Sequence, residues 1–124
     1  MARAVKIFFD GGARPEGMEL AVVAGGRSYI RRDLGPGTSM AAEWLALIAA
    51  LRHAVVLGFD DATLLGDAAA VIAQANGTVR CPPAHRGDMA LFATLPRPPG
   101  RLRIRYVKRT QNLAGIALDR LRQR

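Results

Sequence analysis

The sequence predicts an α/β fold, a mixed β-sheet with helices on its faces. Three observations predict it. Val5 to Phe9 is a strand-forming run that ends in Asp10-Gly11-Gly12. From Met40 to Leu57 apolar residues recur at helical spacing, and beyond Gly58 strand and helix patterns alternate to the C-terminus. The 124 residues can bury one core, so a single domain spanning 1–124 is expected. Half of the residues are hydrophobic, which excludes a disordered chain.

In the first strand, Val5, Ile7 and Phe9 share one face and Lys6, Phe8 and Asp10 the other. Phe8 makes the second face partly apolar, so the strand is expected to be covered on both sides and central in its sheet. Ala13 to Gly17 reads as a turn. Met18 to Ala24, the Gly25-Gly26 hairpin signal and Arg27 to Leu34 complete an antiparallel meander. Thr38-Ser39 supplies a cap for the helix Met40 to Leu57, whose stripe is Met40, Trp44, Leu47, Ile48, Leu51 and Val55. Ala62 to Gly66 is a short strand leading into Asp67, followed by a helix from Ala68 to Ala75. Thr78 to Arg86 reads as loop and Gly87 to Leu95 as a short helix. Arg101 to Val107 alternates strictly, as a half-buried edge strand does, and Asn112 to Arg122 is a last helix with Leu113, Ile116, Ala117 and Leu121 inward.

Eighteen Lys and Arg face ten Asp and Glu, a net charge of +8, and all but Lys6 and Lys108 are arginine. Such a charge in a small domain points toward polyanions, usually nucleic acid. The single cysteine, Cys81, excludes an intramolecular disulfide and a cysteine metal cluster. A charge at Arg3 interrupts the N-terminus before any apolar run of signal-peptide length, and no window reads as the roughly 18 apolar residues of a membrane span. A cytoplasmic protein with no membrane partner is expected.

Asp10, Glu43 and Asp67 are the candidate catalytic and metal-binding residues. Each has a plain alternative: an Asp-Gly turn for Asp10, a favourable helix-dipole charge for Glu43, a helix N-cap for Asp67. Together they have no equally good one. If the two strands that end in Asp10 and Asp67 lie side by side and parallel, both carboxylates reach one edge. A long helix crossing that edge brings Glu43 to the same point. Three converging carboxylates repel unless a divalent cation binds, and oxygen-only ligands favour Mg2+ or Mn2+.

These pieces resemble a ribonuclease H domain of the short, stand-alone kind. The resemblance is carried by Lys6-Ile-Phe-Phe-Asp-Gly-Gly12, Thr38-Ser-Met-Ala-Ala-Glu-Trp-Leu-Ala-Leu-Ile-Ala-Ala-Leu51 and Leu64-Leu-Gly-Asp-Ala68, and more loosely by Val107-Lys-Arg-Thr-Gln-Asn112 with Ala117-Leu118. It implies a five-stranded mixed sheet in order 3-2-1-4-5, strands 1–3 antiparallel, flanked by helices. It further implies metal-dependent hydrolysis of the RNA strand of RNA–DNA hybrids, with Asp10, Glu43 and Asp67 in the places of three metal-binding carboxylates. Gly11, Gly12, Ser39, Lys108 and Arg109 are the candidate nucleic-acid contacts, and a monomer is expected.

The chain also departs from the family pattern. The fourth carboxylate usual near the start of the last helix falls at Ile116, and Asp119 is the nearest substitute. Polar residues that commonly touch the hybrid appear as Ser39, Met40 and Ala69, and the usual histidine before the last helix is missing. His53 and His85 read as structural. The alternative to an enzyme is therefore a catalytically weakened or inactive module of the same fold that binds nucleic acid; a third possibility is a nuclease with another substrate.

Overall fold

The computed structural model describes residues 3–122. β1 (Ala4–Arg14), β2 (Gly17–Ala24), β3 (Arg27–Arg31), β4 (Asp61–Gly66) and β5 (Leu102–Tyr106) form one sheet in the order β3-β2-β1-β4-β5. β1, β2 and β3 are antiparallel neighbours, β4 runs parallel to β1, and β5 runs parallel to β4. The order and directions are those expected.

The helices are α1 (Ser39–Val56), α2 (Ala69–Ala75), α3 (Arg86–Thr94) and α4 (Leu113–Arg122). Ile7, Phe9, Val22 and Leu64 of the sheet are buried with Trp44, Leu47 and Leu51 of α1, Val71 of α2 and Phe92 of α3 in the larger core. On the other face Ala21 and Val23 pack with Ala114 and Leu118 of α4, and Phe8 lies against them. β1 is therefore covered on both sides, as the placement of Phe8 predicts.

Thr38 is the N-cap of α1, its hydroxyl accepting the Ala41 amide at 3.1 Å. The helix closes where the Gly58 and Phe59 amides bond back to the Val55 and Ala54 carbonyls, with Gly58 at a φ of 75°. By length and by a mean hydropathy of 1.3 over 18 residues, α1 could cross a membrane, contrary to the reading that no window would. Its alanines raise the average, and its apolar side is spent on the sheet, where Trp44, Leu47 and Leu51 are fully buried.

Three local differences from the sequence reading matter for the site. β1 does not turn at Asp10-Gly11 but continues to Arg14, pairing Asp10 with Ala21, Gly11 with Leu20 and Gly12 with Glu19. Gly11 serves instead as a crossing point, because a Cβ there would collide with the α1 backbone at Ala42. β3 stops at Arg31, and the chain leaves through Asp33 in a left-handed conformation with φ 57°. α4 is rotated from the predicted face: Ala114 and Leu118 are buried, whereas Leu113 is 46% exposed and Ile116 and Leu121 only half-buried. Asn112, fully buried at its start, sets that rotation.

Candidate active site

Asp10 lies on β1 and Asp67 follows β4 directly, so the parallel pairing of Phe8 with Leu65 brings the two to the same end of adjacent strands. Glu43 reaches that end from α1, where the helix crosses Gly11, and its carboxylate accepts the Gly11 amide. Oxygens of Asp10, Glu43 and Asp67 lie within 4.8 Å of one another.

The plain alternatives for the single residues fail. Asp67 does not cap α2: Ala68 holds that position, with no side-chain cap bond. The Asp67 carboxylate instead accepts the Asn112 side-chain amide at 3.1 Å. Glu43 sits past the first turn of α1, where the helix dipole has faded, and only 7% of it is exposed.

Burial, then the charge of Asp67, pushes the Asp10 carboxyl up to about 6, against a hydrogen bond with Glu43 and the nearby charges of Arg109 and Arg122. Burial, then the charge of Asp10, pushes Glu43 up to about 8 despite the Gly11 amide. Two acids held this far above their usual range share a proton rather than ionise together. A hard divalent cation would replace that proton, and three carboxylate oxygens without nitrogen or sulfur donors are the ligand set it prefers.

The cluster forms the floor of a polar cleft of about 290 Å³. Gly11, Gly12, Ser39 and Arg109 line it, together with Arg122 from the last turn of α4. Four of the five candidate nucleic-acid contacts are thus gathered around the carboxylates. Lys108 is exposed on the same short turn as Arg109, outside the lining.

No protein-family model and no curated protein matches the chain. Among solved structures, the ribonuclease H1 of the halophilic archaeon Halobacterium salinarum is 30% identical, with a TM-score of 0.76 over 94% of this chain and 98% of that one. The chain belongs to the ribonuclease H family. The N-terminal ribonuclease H domain of a Mycobacterium tuberculosis protein is 26% identical, with a TM-score of 0.75 over 98% of both chains. The LC11 ribonuclease H1, isolated from compost, was solved in complex with an RNA/DNA hybrid; it is 25% identical, with a TM-score of 0.75 over 94% of this chain and 98% of that one.

In this ribonuclease H domain the α4 side brings no carboxylate to the cluster among the described residues. Asp119 does not join the carboxylates: its side chain is 55% exposed and pairs with Arg122 at 3.4 Å. Its three-residue offset from Ile116 carries it down and around the helix. Gly115 lies against the cluster instead, where a Cβ would stand 3.4 Å from Asp10 Oδ2. His53 packs on Tyr29 with ring centroids 4.3 Å apart, and His85 lies beside Asp88, both outside the cleft.

Two residues of this ribonuclease H site were not among the sequence candidates. Asn112 stood in the sequence as a helix start and as the end of the looser matching segment, with no role in the site; its amide donates to the Phe9 carbonyl and to Asp67, and its oxygen accepts the Ala114 amide. Arg122 left no local signal, because its partner Glu19 is 103 residues away.

Proposed function

We propose that this chain is a metal-dependent endoribonuclease that hydrolyses the RNA strand of RNA–DNA hybrids, with Asp10, Glu43 and Asp67 holding Mg2+ or Mn2+. The observation that carries the reading is the convergence of those three carboxylates at the ends of two parallel strands, at the floor of an arginine-walled cleft. When bound, the cation would lower the pKa of water and stabilise charge on the phosphate oxygens. The protein's part is to fix the ligands. The Gly11 amide holds Glu43, and Asn112 holds Asp67. Arg109 faces the incoming phosphates, with Lys108 on the outer rim. Gly11, Gly12 and Ser39 line the wall from which 2′-hydroxyls in the minor groove would be read. The water oxygen would form a bond to phosphorus as the bond from phosphorus to the ribose 3′-oxygen breaks, the water giving up a proton and the 3′-oxygen taking one from solvent, which leaves 5′-phosphate and 3′-hydroxyl ends.

The second reading, a module that binds hybrid without cutting it, is favoured by Ile116 in the place of the fourth carboxylate. Cleavage of an end-labelled hybrid in Mg2+ and in Mn2+, with Asp10→Asn as control, separates them. Cleavage by the wild type alone supports the enzyme; binding without cleavage in either metal supports the module.

A further inference from the structure

Two residues past Asp10 on β1, Gly12 pairs with Glu19 across the antiparallel ladder. Glu19 is 2% exposed, and a carboxylate so buried needs a partner. Arg122 supplies it, with Nε at 2.9 Å and Nη2 at 2.6 Å from Oε2. Arg32 approaches the other oxygen at 3.6 Å. The pair pins the guanidinium over Gly12, where a Cβ would stand 2.8 Å from Nη2. Arg122 thereby becomes a wall of the cleft that holds Asp10 and Glu43, and its charge acts on Asp10.

A guanidinium carries five N–H donors, and Glu19 takes two of them. Asp119 takes a third only at 3.4 Å. A purely structural ion pair has no need of a place on the cleft wall, and among the described residues the other two donors have no partner. Gly12 lies two strand residues from Asp10, about 6.6 Å along β1, the scale of one step between neighbouring phosphates. We propose that Arg122 binds the backbone phosphate next to the one being cut, and that Glu19 is the positioning residue that holds its guanidinium ready. This rests on the cleft being the ribonuclease site. Where the family pattern has a fourth carboxylate on this helix, the present chain sets a cation on the same helix; it would anchor substrate rather than metal.

The test is equilibrium binding of an RNA–DNA hybrid across a salt series, in EDTA and again in Ca2+ with the strands verified intact. Wild type is compared with Glu19→Gln/Arg122→Gln, which keeps a hydrogen-bonded neutral pair, with Arg122→Lys, and with Gly12→Ala, which displaces the guanidinium tip without removing it. The double variant is expected to bind about tenfold more weakly, with the slope of log K against log salt reduced by about 0.7–0.9, the share of one phosphate contact. Arg122→Lys should keep the slope and lose part of the affinity, since an ammonium cannot bind bidentately. Gly12→Ala should weaken binding in the same direction, and Arg122→Lys, which leaves the rest of the wall intact, decides the matter if the double variant does not fold: wild-type affinity there would overturn the proposal. Wild-type affinity and slope in the folded variants would overturn the proposal and make the pair structural. Wild type that neither binds nor cuts the hybrid would overturn the functional reading along with it.

Discussion

The side-chain amide of Asn112 donates to the Asp67 carboxylate at 3.1 Å and to the Phe9 carbonyl at 3.0 Å, so one residue ties α4 to the ends of both central strands. Asn112→Ala removes the cap on the Ala114 amide, worth about 1 kcal/mol. It also leaves the Phe9 carbonyl without its buried donor, at about 1–3 kcal/mol. Urea denaturation should show a loss of about 2–4 kcal/mol. Hybrid cleavage by the remaining folded protein should fall more than tenfold as Asp67 loses its tether.

Asp10 and Glu43 are both raised above their ordinary values, to about 6 and about 8. Between pH 4 and pH 8 these two groups therefore hold more protons in the folded chain than in the unfolded one, and their contribution to stability falls as pH rises, while His53, pushed down by burial, works in the opposite direction. The contribution is fully present below the unfolded values and is lost through the folded ones. Melting in EDTA should show this decline, and saturating Mg2+ should flatten it by taking the place of the protons. Glu43→Gln should raise metal-free stability at pH 8, by on the order of a few kcal/mol, while abolishing cleavage. A pH-independent melting temperature for the metal-free wild type would contradict the shared proton.

Gly115→Ala sets a gain against a loss. Alanine favours the helix by up to about 1 kcal/mol. Its methyl group would stand 3.4 Å from Asp10 Oδ2 and strip water from a carboxylate already half-desolvated. The variant should melt at or above the wild-type temperature and yet bind Mn2+ several-fold more weakly by calorimetry.

Asp119→Asn should leave Mn2+ affinity unchanged, because Asp119 points to Arg122 and away from the carboxylate cluster. Asp10→Asn should reduce that affinity at least tenfold. Equal losses in the two variants would return Asp119 to the metal site.

Much of this architecture was legible because the chain states it locally. The alternation of Val5 to Phe9, the helical stripe through Trp44, Leu47 and Leu51, and the Asp that ends each of two strands are nearest-neighbour patterns. They fix the elements, and the parallel pairing of β1 with β4 then brings the carboxylates together. What was not legible depends on contacts across the chain. The rotation of α4 follows from Asn112 reaching Phe9, which moved Ala114 and Leu118 inward in place of Leu113 and Ile116. Periodicity in a ten-residue helix allows either face, and only the anchor chooses. In the sequence Arg122 is one basic residue among many, and only the fold sets Glu19 beneath it.

The clamp at Asn112 also gives the site an order of assembly during synthesis. The carboxylates are all present once residue 67 has left the ribosome, and the fifth strand by residue 106. The tether that spans 103 residues from Asn112 back to Phe9 can form only later. A nascent chain stalled in between would carry the acidic cluster without the amide that holds Asp67, and without the guanidinium at its wall. On the ribonuclease reading, such an intermediate would hold the three carboxylates before it held the arginine wall meant to grip a strand.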